Sequence, residues 1–417
     1  MRRAHVIGAG LAGLSAAVRL AERGWKVTLS EAAAQAGGRC RSYLDPQLGL
    51  TIDNGNHLVL SGNDAVHAYL DTIDAADRLD GPEEARFPFM DLRDGARWTL
   101  RPNAGPIPWW VLARARRVPG TTMRDYLPLR RLIGAPATAE VRDRMPVAGA
   151  VWDRLFAPFL VAALNTRADI GSAALAGAVV GETLARGGRA CRPRIATPSL
   201  AAAFVDPAIG WLERHGATIR LGRRVRALGI DHGRITSLTF AEGVEPVGAG
   251  TAVILALPAW GAAELLPGLT VPDRHHSILN AHFRVTPPPG ADPIVGLIGG
   301  TAEWVFAFPD RVSTTTSAAD RLDQADRETL ARGIWDEVAR VHRLKGPMPA
   351  WQIVREKRAT FSATPDQDAR RPAADATGLA NLLLAGDWTR TGLPATIEGA
   401  IRSGVTAARM AAHHVPA

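Results

Sequence analysis

The stretch His5-Val6-Ile7-Gly8-Ala9-Gly10-Leu11-Ala12-Gly13-Leu14-Ser15-Ala16-Ala17-Val18-Arg19-Leu20-Ala21-Glu22-Arg23-Gly24 decides the fold. It reads as a short apolar strand, a glycine turn, and a helix closed by glycine. A second strand, Lys26 to Ser30, then delivers Glu31. That order is the one a dinucleotide-binding βαβ unit requires. Gly8 makes the tight turn, Gly10 lets backbone amides approach a pyrophosphate, and Gly13 lets the helix sit close on the strand. The helix N-terminus, with Leu11 and Ala12 in its first turn, brings positive partial charge to the phosphates. Glu31 stands where a carboxylate accepts hydrogen bonds from both hydroxyls of an unphosphorylated ribose, which favours FAD or NAD over NADP. Arg2-Arg3 ahead of a small apolar run imitates a secretory signal. Three glycines at fingerprint spacing, followed by a charged helix end, argue against that reading.

A chain of 417 residues predicts two or three domains, and 47% hydrophobic with 22% charged residues predicts a folded soluble protein. Cys40 and Cys191 make no disulfide framework and no CxxC, which fits a reducing cytoplasm and excludes a flavin-disulfide reductase. No metal site is expected from so few sulfur ligands and no HExxH. The net charge of +8 suggests an anionic partner, nucleic acid or an anionic membrane surface. No nucleic-acid-binding motif is present, and the basic residues are spread out except between Arg114 and Arg131. There six arginines face one acid, Asp125, behind the pair Trp109-Trp110. Aromatics beside arginines suggest an interfacial membrane contact, and a core tryptophan pair with a solvated basic face is an equally good alternative.

Beyond Glu31, Gly37-Gly38-Arg39 lets the backbone pass close to a ligand and places an arginine beside it. Leu50 to Ile52 is a strand that enters the turn Asp53-Asn54-Gly55-Asn56-His57, which would aim its last side chains into a site. Prolines crowd the region after residue 81, and Trp152 to Leu164 is an apolar helix kinked at Pro158, suited to a lipophilic cavity. An α/β rhythm returns after Pro198: a helix from Leu200 to Arg214 broken at Pro207, then strands at Thr218 to Leu221, Arg224 to Leu228, Ile235 to Phe240 and Thr251 to Leu257. The last segment opens with the apolar strand Leu382 to Ala385, passes Gly386-Asp387, and runs through Thr396-Ile397 into a helix.

Together these pieces resemble the FAD-dependent amine oxidase and phytoene desaturase superfamily. Within it the sequence is similar to the squalene-associated branch, the hydroxysqualene dehydroxylases of bacterial hopanoid biosynthesis, by Arg355-Glu356-Lys357-Arg358-Ala359-Thr360-Phe361 and the Trp152 to Thr166 segment. The resemblance implies an α/β, α+β overall, architecture: a Rossmann-like FAD-binding domain (1–80, 190–260 and 371–417) interleaved with a substrate-binding domain of mixed sheet and helices (81–189 and 261–370). It implies non-covalent FAD held by Gly8, Gly10, Leu11, Ala12, Gly13, Glu31, Gly37, Gly38, Arg39, Gly55, Asn56, Val225, Gly386, Asp387, Thr396 and Ile397. It also implies a lipophilic isoprenoid substrate; the cysteines, that substrate and the basic stretch Trp109 to Arg131 lead to the expectation of a cytoplasmic protein, peripheral on the inner face of the cytoplasmic membrane.

Replacing an allylic or cyclopropyl-type hydroxyl by hydrogen needs a proton on the leaving oxygen, a dry cavity and a flavin face. His57 and Lys357 are the candidate acids. An amine oxidase or carotenoid-type desaturase running the flavin in the oxidising direction would carry the same FAD motifs. A non-catalytic flavin module on nucleic acid would leave those motifs without a purpose. With a single dinucleotide fingerprint in the chain, the electron donor stays unassigned.

Overall fold

The computed structural model describes residues 2–414. Its first layer is a five-stranded parallel sheet in the order Thr218–Arg220, Lys26–Ser30, Arg3–Ile7, Thr251–Leu255, Leu382–Leu384. All residues of Thr251–Leu255 are buried, as expected of a central parallel strand covered on both faces. Ile7 pairs with Ser30 on one side and Leu255 on the other, so the glycine turn leaves the carboxyl edge of the sheet. Helices Leu11–Ala21 and Ile397–His414 cross closely on this sheet, Ser15 Oγ donating to the Ile401 carbonyl at 3.0 Å. The crossing depends on small residues: a Cβ on Gly404 would stand 2.2 Å from the Ala12 carbonyl oxygen.

The second layer is a seven-stranded sheet in the order Trp351–Phe361, His275–Phe283, Val312–Thr316, Trp304–Ala307, Ile294–Ile298, Phe87–Asp91, Arg97–Leu100. Side chains alternate across it. Leu279, Ala281 and Phe283 pack with Ile334, Trp335 and Val338 of helix Arg327–His342. The intervening Asn280 and His282 pair in register with Thr315 and Ser313 and form a polar face. The hairpin Ser42–Asp45 and Leu50–Asp53, with the turn that follows it, meets that face.

Several local expectations change. Val225 precedes its strand, which runs Ala227–Asp231 instead of starting at Arg224. The helix after Pro198 is broken by a π-turn, Ala201–Val205, ahead of helix Asp206–Arg214, so Pro207 sits in a first turn, where no amide is needed. A π-turn, Trp152–Phe156, likewise precedes helix Ala157–Leu164 and puts Pro158 at that helix's start. Trp109 and Trp110 part company: Trp109 is exposed, and Trp110 is buried edge-on to Tyr126 at 5.3 Å. Among the described residues no helix is long and apolar enough to cross a membrane.

Candidate active site

Two glycine turns form one cradle. Gly8 has φ +105°, and a Cβ there would stand 2.4 Å from the Ala256 carbonyl oxygen. A Cβ on Gly13 would stand 1.9 Å from the Gly8 carbonyl oxygen, so the helix approaches the turn as closely as backbone allows. On Gly10 a Cβ would meet nothing within 4 Å, and this side of the turn is open. Gly37 bridges Gly10, its amide donating to the Ala9 carbonyl at 2.8 Å, so the two motifs lie side by side. Glu31 closes the cradle: its carboxylate accepts from the Ala9 and Ala33 amides, each at 2.8 Å.

The helix Leu11–Ala21 starts with no side-chain cap and no acid in its first turn. Its first amides, those of Leu11, Ala12 and Gly13, precede the helical ladder and are available to an anion. At the other end of the chain Thr396 Oγ1 accepts from the Gly399 amide at 3.0 Å. That cap leaves the Ile397 and Glu398 amides ahead of the ladder of helix Ile397–His414. An open glycine turn, an uncapped helix start and a carboxylate at the end of the second strand are the donor set a dinucleotide needs, so these residues fit FAD.

Arg39 joins the chain's two ends, donating to Asp387 Oδ2 at 2.7 Å and to the Ala359 carbonyl at 2.5 Å. Asp387 is buried and Arg39 is half exposed. The loop that carries Asp387 is built on Arg371, which is 1% exposed. Its guanidinium donates to the carbonyls of Asp387 and Thr389, to Thr391 Oγ1 and to Asp368, and lies over Phe361. Gly386 is held from the helix side, its amide donating to Ser403 Oγ at 2.8 Å. Arg39 and Asp387 line a small cleft with Trp260, His275, Arg358 and Trp388. Val225 is buried in the adjoining apolar core.

His57 lies within the field of Arg39 and Asp387. Burial, with Arg39 adding to it, pushes its pKa down to about 4, so at neutral pH it is a neutral imidazole that can offer a hydrogen bond but not the proton of the acid expected from the sequence. Asn54 and Asn56 bind this turn to the second sheet. Asn54 Nδ2 donates to Glu356 Oε2 at 3.1 Å, and Asn56 Nδ2 donates to Thr314 O and Thr315 Oγ1, each at 3.1 Å. Lys357 is exposed on strand Trp351–Phe361, and neither it nor His57 is among the residues lining the cleft. Cys40 and Cys191 are buried, which pushes both thiols up to about 12 and leaves them inert.

Sequence reasoning missed Arg371, Asn280, Trp260, His275 and Arg358 as site residues. Asn280 and His282 did carry a signal, two polar residues at alternate positions of an otherwise apolar strand, Ile278 to Phe283. Arg371 carried none.

Comparisons with known proteins agree with this geometry. Residues 11–411 match the family described as flavin-containing amine oxidoreductase. The chain is 52% identical over 405 residues to a hydroxysqualene dehydroxylase of Rhodopseudomonas palustris, covering 97% of each chain. It is 48% identical over 410 residues to the hydroxysqualene dehydroxylase of Zymomonas mobilis, covering 98% of this chain and 99% of that one. Among solved structures, an oxidoreductase from Methanosarcina mazei superposes with a TM-score of 0.71 at 14% identity, over 98% of this chain and 100% of that chain. A putrescine oxidase redesigned at its cofactor site superposes with a TM-score of 0.71 at 16% identity, over 99% of each chain. At such identities these two structures speak for the fold alone.

Proposed function

The chain belongs to the flavin-containing amine oxidoreductase family, and on that premise we propose that it is an FAD-dependent dehydroxylase that converts hydroxysqualene to squalene. The observation that carries the reading is identity near 50% over almost the whole of both chains with hydroxysqualene dehydroxylases. In the reaction the C–O bond breaks with its electron pair on oxygen, a proton drawn from solvent joins that oxygen to give water, and a hydride reaches the carbon. Reduced FAD supplies the hydride. Gly8, Gly10, Gly13 and Glu31 would hold the adenosine diphosphate half, and the amides of Ile397 and Glu398 would face the flavin end. Arg39 and Asp387 would hold the middle. His57, neutral and within the field of that pair, is the polar group we assign to the leaving hydroxyl.

We divide the chain into a FAD-binding domain (1–80, 190–260 and 371–417) and a substrate-binding domain (81–189 and 261–370). Every strand of the parallel sheet comes from the first set and every strand of the seven-stranded sheet from the second, which supports this division. The protein would act from the cytoplasmic side, in peripheral contact with an anionic membrane. Of the twelve large apolar side chains exposed among the described residues, seven lie between Ile107 and Val147, the segment that also carries the arginine cluster.

The test is anaerobic incubation of pre-reduced protein with hydroxysqualene. Flavin oxidation matched mole for mole by squalene is expected. Flavin that stays reduced, or oxidised flavin that is bleached on adding an amine or squalene, overturns the direction assigned.

A further inference from the structure

Asn280 is 1% exposed on the polar face of the second sheet, directly under the turn that carries His57. Its Oδ1 accepts from the Asn56 backbone amide at 3.3 Å and from Thr315 Oγ1 at 2.8 Å. A backbone amide can only donate, so these contacts fix which end of the carboxamide faces Asn56 and turn Nδ2 to the opposite side. On that side Nδ2 has one acceptor, the Asn54 carbonyl at 3.5 Å, the outer limit of a hydrogen bond. A buried donor is thus left with capacity to spare.

Gly55 stands between this donor and His57. A Cβ on Gly55 would lie 3.2 Å from Asn280 Nδ2 and 3.9 Å from His57 Nε2. Gly55 is not among the residues with positive φ, so its backbone does not call for glycine. What glycine does here is keep clear the space that the amide and the imidazole share. Asn56 Oδ1, buried and without a partner, borders the same turn.

We propose that Asn280 Nδ2 and His57 Nε2, with Gly55 keeping the space between them clear, form the subsite that receives the oxygen of the alcohol substrate. The proposal rests on the dehydroxylase reading above. Squalene and its alcohol differ in one oxygen, so a protein that takes the alcohol and releases the hydrocarbon needs polar groups at that oxygen alone. A donor there stabilises the electron pair as the C–O bond breaks, and it is left unpaired by a ligand without the hydroxyl. Asn280 therefore serves both catalysis and release of product.

Oxidised holoenzyme, which cannot turn over, is titrated with hydroxysqualene and with squalene in detergent, following the perturbation of flavin absorbance. The wild type should prefer the alcohol by about tenfold or more, the worth of one hydrogen bond to a buried donor. In Gly55→Ala and in the isosteric Asn280→Asp the preference should fall to within about threefold, with squalene binding held. Pre-reduced Gly55→Ala should also lose about a hundredfold in kcat, as when one donor to a developing charge is lost. If Asn280→Asp does not retain FAD, Gly55→Ala decides, because it keeps both the carboxamide and the imidazole and changes only the space beside Nδ2. Variants that bind flavin and keep the wild-type preference overturn the subsite. A wild type that makes squalene yet binds both ligands equally also overturns it, whereas one that makes no squalene overturns the reading beneath it.

Discussion

Arg39 shows how one residue can carry a whole-chain constraint. It was legible as an arginine after two glycines, suited to a phosphate; its bond to Asp387, 348 residues away, was not. Removing it leaves Asp387, buried, without its cation, while half of the arginine's own surface is already in water. The loss is therefore moderate: Arg39→Ala should weaken FAD binding about tenfold, and Arg39→Lys should recover part of it. Flavin-to-protein ratio after gel filtration, together with a fluorescence titration of the apoprotein, measures this, and unchanged flavin retention in Arg39→Ala would count against the role. His57 was legible as the last side chain of a turn aimed at a site. Its neutral state was not, because that depends on burial and on Arg39.

At the scale of elements, the crossing of helices Leu11–Ala21 and Ile397–His414 sets where two helix starts lie relative to each other. Gly404→Val would drive side-chain atoms into the Ala12 carbonyl, and overpacking of this kind costs about 1–3 kcal/mol. A lower thermal midpoint and weaker flavin binding are expected together; a midpoint equal to wild type would show that the helices can part without cost. In the second sheet, fully buried His282 is bonded through Nδ1 to Ser313 Oγ, and burial pushes its pKa down to about 3. Its unfolded value is near 6.5, so the unfolded chain binds the extra proton first as pH falls. The stability tied to neutral His282 is present above about pH 6.5 and is lost progressively below it, by about 2 kcal/mol at pH 5. His282→Gln should flatten the fall in urea midpoint between pH 7 and pH 5, and an equally steep fall would contradict this assignment. The polar positions of this strand were visible in its alternation, but which face they occupied was not.

For the molecule as a whole, the exposed apolar group between Ile107 and Val147 lies beside exposed Arg114, Arg124 and Arg130, and Arg116 stacks on the Trp109 ring at 5.2 Å. Interfacial arginines contribute about 1 kcal/mol each on an anionic surface. Replacing Arg114, Arg124 and Arg130 by Glu should therefore reduce sedimentation with phosphatidylglycerol vesicles by about a hundredfold in affinity. Raised salt should weaken wild-type binding in the same direction. Sedimentation indifferent to both would remove the membrane contact.

What the sequence determined by itself is the cofactor cradle and its class. Glycine spacing, strand and helix periods and the position of Glu31 are local properties, set by backbone sterics within a few residues of each other. The tertiary structure decided everything that depends on residues far apart in the chain. It joined Arg39 to Asp387, supported that loop with Arg371, and brought Asn280 beneath His57. It also left the Lys357 side chain exposed on its strand. Hydrogen bonds and burial act through space over a few ångströms, and no local pattern encodes which distant side chain will stand there.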